Sequence, residues 1–160
     1  MKSSLNRRSA LGVMAVGLVA VPASAVRPIK RADGFYRSTL LDVYADAWRR
    51  KDLNAILSCM DANLTFKAPN ASTHGIQAYR AATERFLALT KSVDVRAHML
   101  AGDQAMLAYD FSCIAPIGVS AVAELITFQG SKIGTSEIFF DTAPFKAFAE
   151  ANKAAASSGR

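Results

Sequence analysis

The chain has 160 residues, 51% of them apolar, and a formal net charge of +6. That is enough for a single domain with its own core, and neither a repeat nor an internal linker divides it. Three of the positive charges, Lys2, Arg7 and Arg8, lie at the start with no acidic residue among the first 25, so beyond Ala25 the net charge is only +3, too mild to argue for nucleic acid.

Residues 1–25 read as an export signal. A basic start is followed by an apolar stretch from Ala10 to Val21 and by Ala23-Ser24-Ala25, a small-residue cleavage site that places the mature start at Val26. The apolar stretch is well short of the roughly 20 residues that span a bilayer, and no later segment is longer, so no membrane span is expected in the mature form. Asn6-Arg7-Arg8-Ser9-Ala10-Leu11 also resembles a twin-arginine signal, with Ala10 where a bulkier residue is common. Export by the general secretory or the twin-arginine route, to a bacterial periplasm, is the expectation. Cys59 and Cys113 allow one disulfide there, although their apolar surroundings suit small core residues.

Residues 26–35 form a basic lead-in, and the domain itself is expected over 36–150. In a first helix over 36–50, Leu41, Tyr44, Ala45 and Trp48 recur at helical spacing and mark an inward stripe. Asp52 caps a second helix with Leu53, Ile56, Leu57 and Met60 inward. A short strand at 64–66 and a loop over 69–73 lead to Gly75 and a third helix carrying Ile76, Tyr79, Phe86 and Leu89. Strands follow near 93–101, 104–114, 119–129 and 132–141, joined by tight turns such as Gln129-Gly130-Ser131. Asp141 is placed to cap a Pro-initiated helix whose Phe145 and Phe148 fold back onto the domain, and residues 151–160 read as a disordered tail. Helices first and an antiparallel sheet after them mean an α+β fold, with helices across the concave face of a curved sheet, an arrangement that encloses a pocket.

Glu124 is the chemical centre of this pattern. It is the one carboxylate within the apolar run Ala121–Phe128, and burying it ionised without partners is costly. It must therefore reach solvent, find hydrogen-bond donors, or keep its proton at an elevated pKa. Alternation outward from Glu124 puts Val122, Ile126 and Phe128 on its side of the sheet, while the opposite parity sends Asp110 and Glu137 to the other face.

The order of elements, the spacing from Tyr44 to Asp52-Leu53, the segment from Pro69 to Gly75 before a helix, and the final Ile138-Phe139-Phe140-Asp141 resemble the nuclear transport factor 2-like superfamily. Within it the chain looks most like the SnoaL-like domains, over residues 36–145. The resemblance implies a cone holding an apolar ligand and the possibility of a homodimer through the sheet. It also implies pocket positions for Leu107, Tyr109, Phe111, Ile138 and Phe140, besides Trp48, Leu57, Phe66 and Phe86 from the other elements. The steroid isomerases of that superfamily use a Tyr and a protonated acid as an oxyanion hole, with a second carboxylate as base, a system that also serves as a standard illustration of tuned acidity. Tyr44 stands where that Tyr would be, and Glu124 stands for the protonated acid. Ala68 occupies the position of the base, which argues against ketosteroid isomerase activity.

His74, in the loop before the third helix, is a further candidate acid or base at the pocket rim. Two histidines without metal-ligand spacing argue against a metal site, and no phosphate loop or dinucleotide fingerprint calls for a cofactor. The expected function is binding of an apolar small molecule with Tyr44 and Glu124 as its polar handle. The alternatives are an isomerase, dehydratase or cyclase acting on a carbonyl compound, with Tyr44, Glu124 or His74 as catalytic groups, and a noncatalytic protein-interaction domain.

Overall fold

Helix α1 (Arg31–Arg50) begins the computed structural model, which describes residues 31–158. The predicted export signal, the first half of the lead-in and the last two residues lie outside the described residues. The described part of the lead-in is already helical, so α1 starts five residues earlier than its apolar stripe requires. Leu41, Tyr44, Ala45 and Trp48 are all buried, as helical spacing demands. Lys51, at φ 55°, turns the chain out of α1 and donates from Nζ to the Thr90 carbonyl at 2.6 Å. Asp52 then caps α2 (Leu53–Ser58) by accepting from the Ala55 amide at 2.9 Å.

Strand β1 (Met60–Ala68) is three times the length expected from its apolar residues. Its far half is paired with β2 (Ala71–His74), the segment read from sequence as a loop. Pro69 and the small polar residues after it look like loop, yet a two-residue turn at Pro69-Asn70 closes a hairpin whose backbone bonds need no apolar side chains. Gly75, at φ 84°, a conformation that side chains resist, redirects the chain into α3 (Ile76–Leu89).

Strands β3 (Thr90–Ala101), β4 (Gln104–Cys113), β5 (Val119–Gln129) and β6 (Lys132–Phe140) follow as an antiparallel meander. The six-stranded sheet has the order β2-β1-β6-β5-β4-β3, and β1 pairs with β6 in parallel. The α+β architecture is thus as expected, with a mixed rather than wholly antiparallel sheet. Parallel pairing demands a long crossover, and the helix α3 and four strands between β1 and β6 supply it.

Burial alternates along β4 and β5: Ala105, Leu107, Tyr109, Phe111 and Cys113 face inward from one, Ser120, Val122, Glu124, Ile126 and Phe128 from the other. Helices α1 and α3 cover this inner face. Cys59 and Cys113 are both buried free thiols, and burial pushes both above the ordinary thiol range. Helix α4 (Ala143–Ser158) starts where Asp141 accepts from the Ala143 amide, and Phe145 and Phe148 pack back onto the core. Its exposed second half runs to Ser158, so the tail expected to be disordered is largely helical; its run of alanines has the highest helix propensity of any residue. Among the described residues, no helix is long and apolar enough to cross a membrane.

Candidate functional site

Glu124 sits at the middle of β5, opposite Leu107 on β4 and Ile138 on β6. Tyr109 and Ser136 are two residues along those neighbouring strands, at the positions facing Val122 and Ile126, so both share the inner face with Glu124 as its diagonal neighbours. That separation is within reach of polar side chains. Tyr109 donates to Oε2 at 2.6 Å and Ser136 to Oε1 at 2.6 Å. From the helical layer, Tyr44 on α1 donates to Oε1 at 2.9 Å, and its hydroxyl lies 3.4 Å from that of Tyr79 on α3.

Three elements thus converge on the carboxyl group of Glu124, with α3 reaching it only through Tyr44, and the residue is 2% exposed. Among the described residues it forms no ion pair. Burial raises its pKa, and the bonds from Ser136, Tyr109 and Tyr44 only partly offset that. The phenols of Tyr44, Tyr79 and Tyr109 are all driven above the ordinary tyrosine value by burial first and by the nearby Glu124 second. They stay neutral and act as hydrogen-bond donors.

The carboxyl group forms part of the wall of a cavity of about 210 Å³. Aromatic rings make most of the remaining wall. Trp48 meets Phe111 edge-on at 5.4 Å, Phe86 at 6.4 Å and Tyr109 at 6.2 Å between centroids. Phe66 and Tyr79 lie 5.2 Å apart on another side, and Phe145 of α4 closes against Phe140 at 5.3 Å. Such edge-to-face packing holds the rings in place without filling the space between them.

A model of the SnoaL-like domain matches residues 41–134, more than half of the chain. The chain belongs to this family. Solved structures agree on the nuclear transport factor 2-like fold of this SnoaL-like domain. A protein from Kribbella flavida is 24% identical, with a TM-score of 0.65 over 72% of this chain and 94% of that one. An NTF2-like protein from Cytophaga hutchinsonii is 20% identical, with a TM-score of 0.59 over 68% and 93%. A protein of ketosteroid isomerase-like fold from Catenulispora acidiphila, in complex with trimethylamine, is 18% identical, with a TM-score of 0.54 over 62% and 83%. No curated protein matches the sequence. These likenesses concern the fold, which by itself selects no reaction.

Of the residues singled out from sequence, the SnoaL-like domain brings Trp48, Phe66, Phe86, Tyr109, Phe111, Val122, Ile138 and Phe140 to the cavity wall with Glu124. Leu57, Leu107 and Ile126 are instead buried in the core away from it. For Leu107 and Ile126 the parity is right, but these positions lie further along the inner face than the cavity reaches. Tyr44 is fully buried behind Glu124 and is not on the wall; it touches the carboxyl group, and a ligand would meet it only through that group. His74 is exposed on β2, its Nδ1 3.3 Å from the Thr65 hydroxyl, and lies off the wall. Ala68 does line the cavity.

Sequence reasoning missed Ser136 as a partner of Glu124 and placed Tyr79 only as an inward helix residue. Alternation back from Phe140 and Ile138 would have found Ser136. Nothing local marks the meeting of Tyr79 with Tyr44, which requires α3 to lie beside α1. Among the described residues, no cluster of His, Cys, Asp and Glu could hold a metal ion.

Proposed function

We propose that this SnoaL-like domain binds a small, largely apolar molecule in its cone and holds the molecule's polar end with Glu124. The observation that carries this reading is the lone carboxyl group, gripped by three hydroxyls, on the wall of a cavity whose other lining is aromatic and aliphatic except for the neutral side chains of Asn70 and Thr83. Tyr109 shares the wall with it, and Tyr44 and Ser136 position it from behind. About 210 Å³ is less than the roughly 300–1,000 Å³ of pockets for drug-sized ligands, which favours a compound of one or two rings.

Trp48 is the single tryptophan of the chain and lies on the wall, so its fluorescence reports occupancy directly. Titration with phenol, cyclohexanone and trimethylamine, the last a ligand of the Catenulispora acidiphila neighbour, should give at least one saturable change. A flat response to all three, with no thermal stabilisation, would sink the binding reading.

The elevated pKa of Glu124 supports a second reading, an isomerase, dehydratase or cyclase in which this one group both gives and takes the proton. With Ala68 on the wall in place of a base, no second carboxylate is available there. Turnover of a carbonyl compound whose pH profile follows the ionisation of a single group, and which is lost in Glu124→Gln, would decide for it.

Export rests on residues 1–25, and we place the working domain in a bacterial periplasm. We also infer a homodimer through the outer face of the sheet, where Met99, Met106 and Leu125 stand in register beside a row that ends in Phe139, 48% exposed.

A further inference from the structure

We propose that the ligand is a small organic cation, an amine or quaternary ammonium ion carrying hydrocarbon groups, drawn to Glu124 and to the ring faces around it. The proposal rests on the binding reading above and names the class of ligand.

The wall holds one carboxyl group and no cationic side chain, its other polar side chains being neutral. Eight of its fifteen residues are aromatic, and none is Lys, Arg or His. Ring faces carry the negative side of the aromatic quadrupole and attract a cation within about 6 Å of a centroid. Glu124 adds a group able to carry a full negative charge, and among the described residues no cation is paired with it. A bound ammonium ion would be the missing counter-charge.

Hydrogen-bond directions agree. Oε1 already accepts from Tyr44 and Ser136, neither of which is on the wall, whereas Oε2 accepts only from Tyr109, which is. The oxygen with spare capacity is therefore the one whose partner faces the cavity, and a carboxylate oxygen accepts. An anionic ligand would meet no counter-charge: the hydroxyls of Tyr44, Tyr109 and Ser136 are committed to Glu124, the unpaired Trp48 Nε1 is covered by protein, and the other polar side chains of the wall, Asn70, Tyr79 and Thr83, offer only neutral donors. Carboxylates such as fatty acids should be rejected.

The groups facing Glu124 are Tyr44 from α1, Tyr79 from α3 beyond it, Tyr109 from β4 and Ser136 from β6. None is cationic. In the empty cavity burial therefore favours the neutral acid, and an arriving cation favours the carboxylate. Below the folded-state pKa, binding exchanges one charge for another: the ligand enters, the carboxyl O–H bond breaks, and the proton leaves to solvent.

The test compares benzyltrimethylammonium with neopentylbenzene, the same shape without charge, by Trp48 fluorescence and by calorimetry in two buffers of different ionisation enthalpy. The cation should bind about tenfold tighter or more. Its binding should release protons at low pH and weaken as pH falls, while that of the hydrocarbon stays level. Glu124→Gln should lose the preference and keep the hydrocarbon; should that variant not fold, the pH series on the unaltered protein decides alone. Equal affinities, or tighter binding of the hydrocarbon, would overturn the cation and leave the binding reading standing. Binding of neither would remove both.

Discussion

Glu124 and Glu137 lie on adjacent strands, one residue out of step, and have opposite surroundings. Glu137 faces Leu125 across the β5–β6 ladder, on the outer side of the sheet, with its side chain 37% exposed and 3.8 Å from Lys67. Glu124 is on the inner side, 2% exposed, with hydroxyls in place of a cation. The same side chain is a solvated surface charge on one face and a tuned acid on the other. Because side chains alternate along a strand, a one-residue shift in register would exchange those roles.

The contrast can be broken most forcefully in the apolar positions. Leu107, opposite Glu124 and fully buried, should lose about 2–5 kcal/mol on truncation to Ala. Its neighbour Met106, 42% exposed on the outer face, should change stability by no more than about 0.5 kcal/mol. Urea denaturation of the two variants measures both, and equal losses would refute the division into a packed and an open face.

The acids themselves give a subtler difference, visible in how stability depends on pH. The folded-state pKa of Glu124 is raised, so as pH climbs above the ordinary glutamate value of about 4.3 the unfolded chain loses this proton while the folded chain keeps it. Its contribution is fully present at low pH, declines through that window, and levels off once the folded-state pKa is passed. Glu124→Gln should flatten this fall. Tyr44→Phe, which removes a donor to the carboxylate, should extend the fall to higher pH. A set of denaturation midpoints across pH would show either change, and an unaltered slope in Glu124→Gln would mean that folding does not raise the pKa of this group.

The smallest effect is expected on the outer face. Lys67→Ala breaks an exposed pair and should cost at most about 1 kcal/mol, less in high salt. A larger loss would show that Glu137 is less solvated than its position implies.

Much of the fold was legible because hydrophobic period is a local property. The stripe Leu41, Tyr44, Ala45 and Trp48 and the alternation around Glu124 translate directly into buried faces. The hairpin partner β2 was not legible, since its burial is slight and its order comes from pairing with β1. The helical tail was missed for the opposite reason: small residues read as a frayed end form a helix that is held at Phe145 and Phe148 and exposed beyond them. At the site, sequence singled out Glu124 and Tyr44, while Ser136 and Tyr79 were passed over as ordinary members of their elements.

The sequence by itself determined which residues face inward, that an acid lies among them, and where turns and caps divide the chain. These follow from periodicity, turn chemistry and the cost of burying charge, all of which act within one element. Only the tertiary structure decided that α1, β4 and β6 each bring a hydroxyl to Glu124, that the cavity stops short of Leu107 and Ile126, and that β1 runs parallel to β6. Those outcomes depend on how elements far apart in the chain are set against one another, which no local pattern encodes.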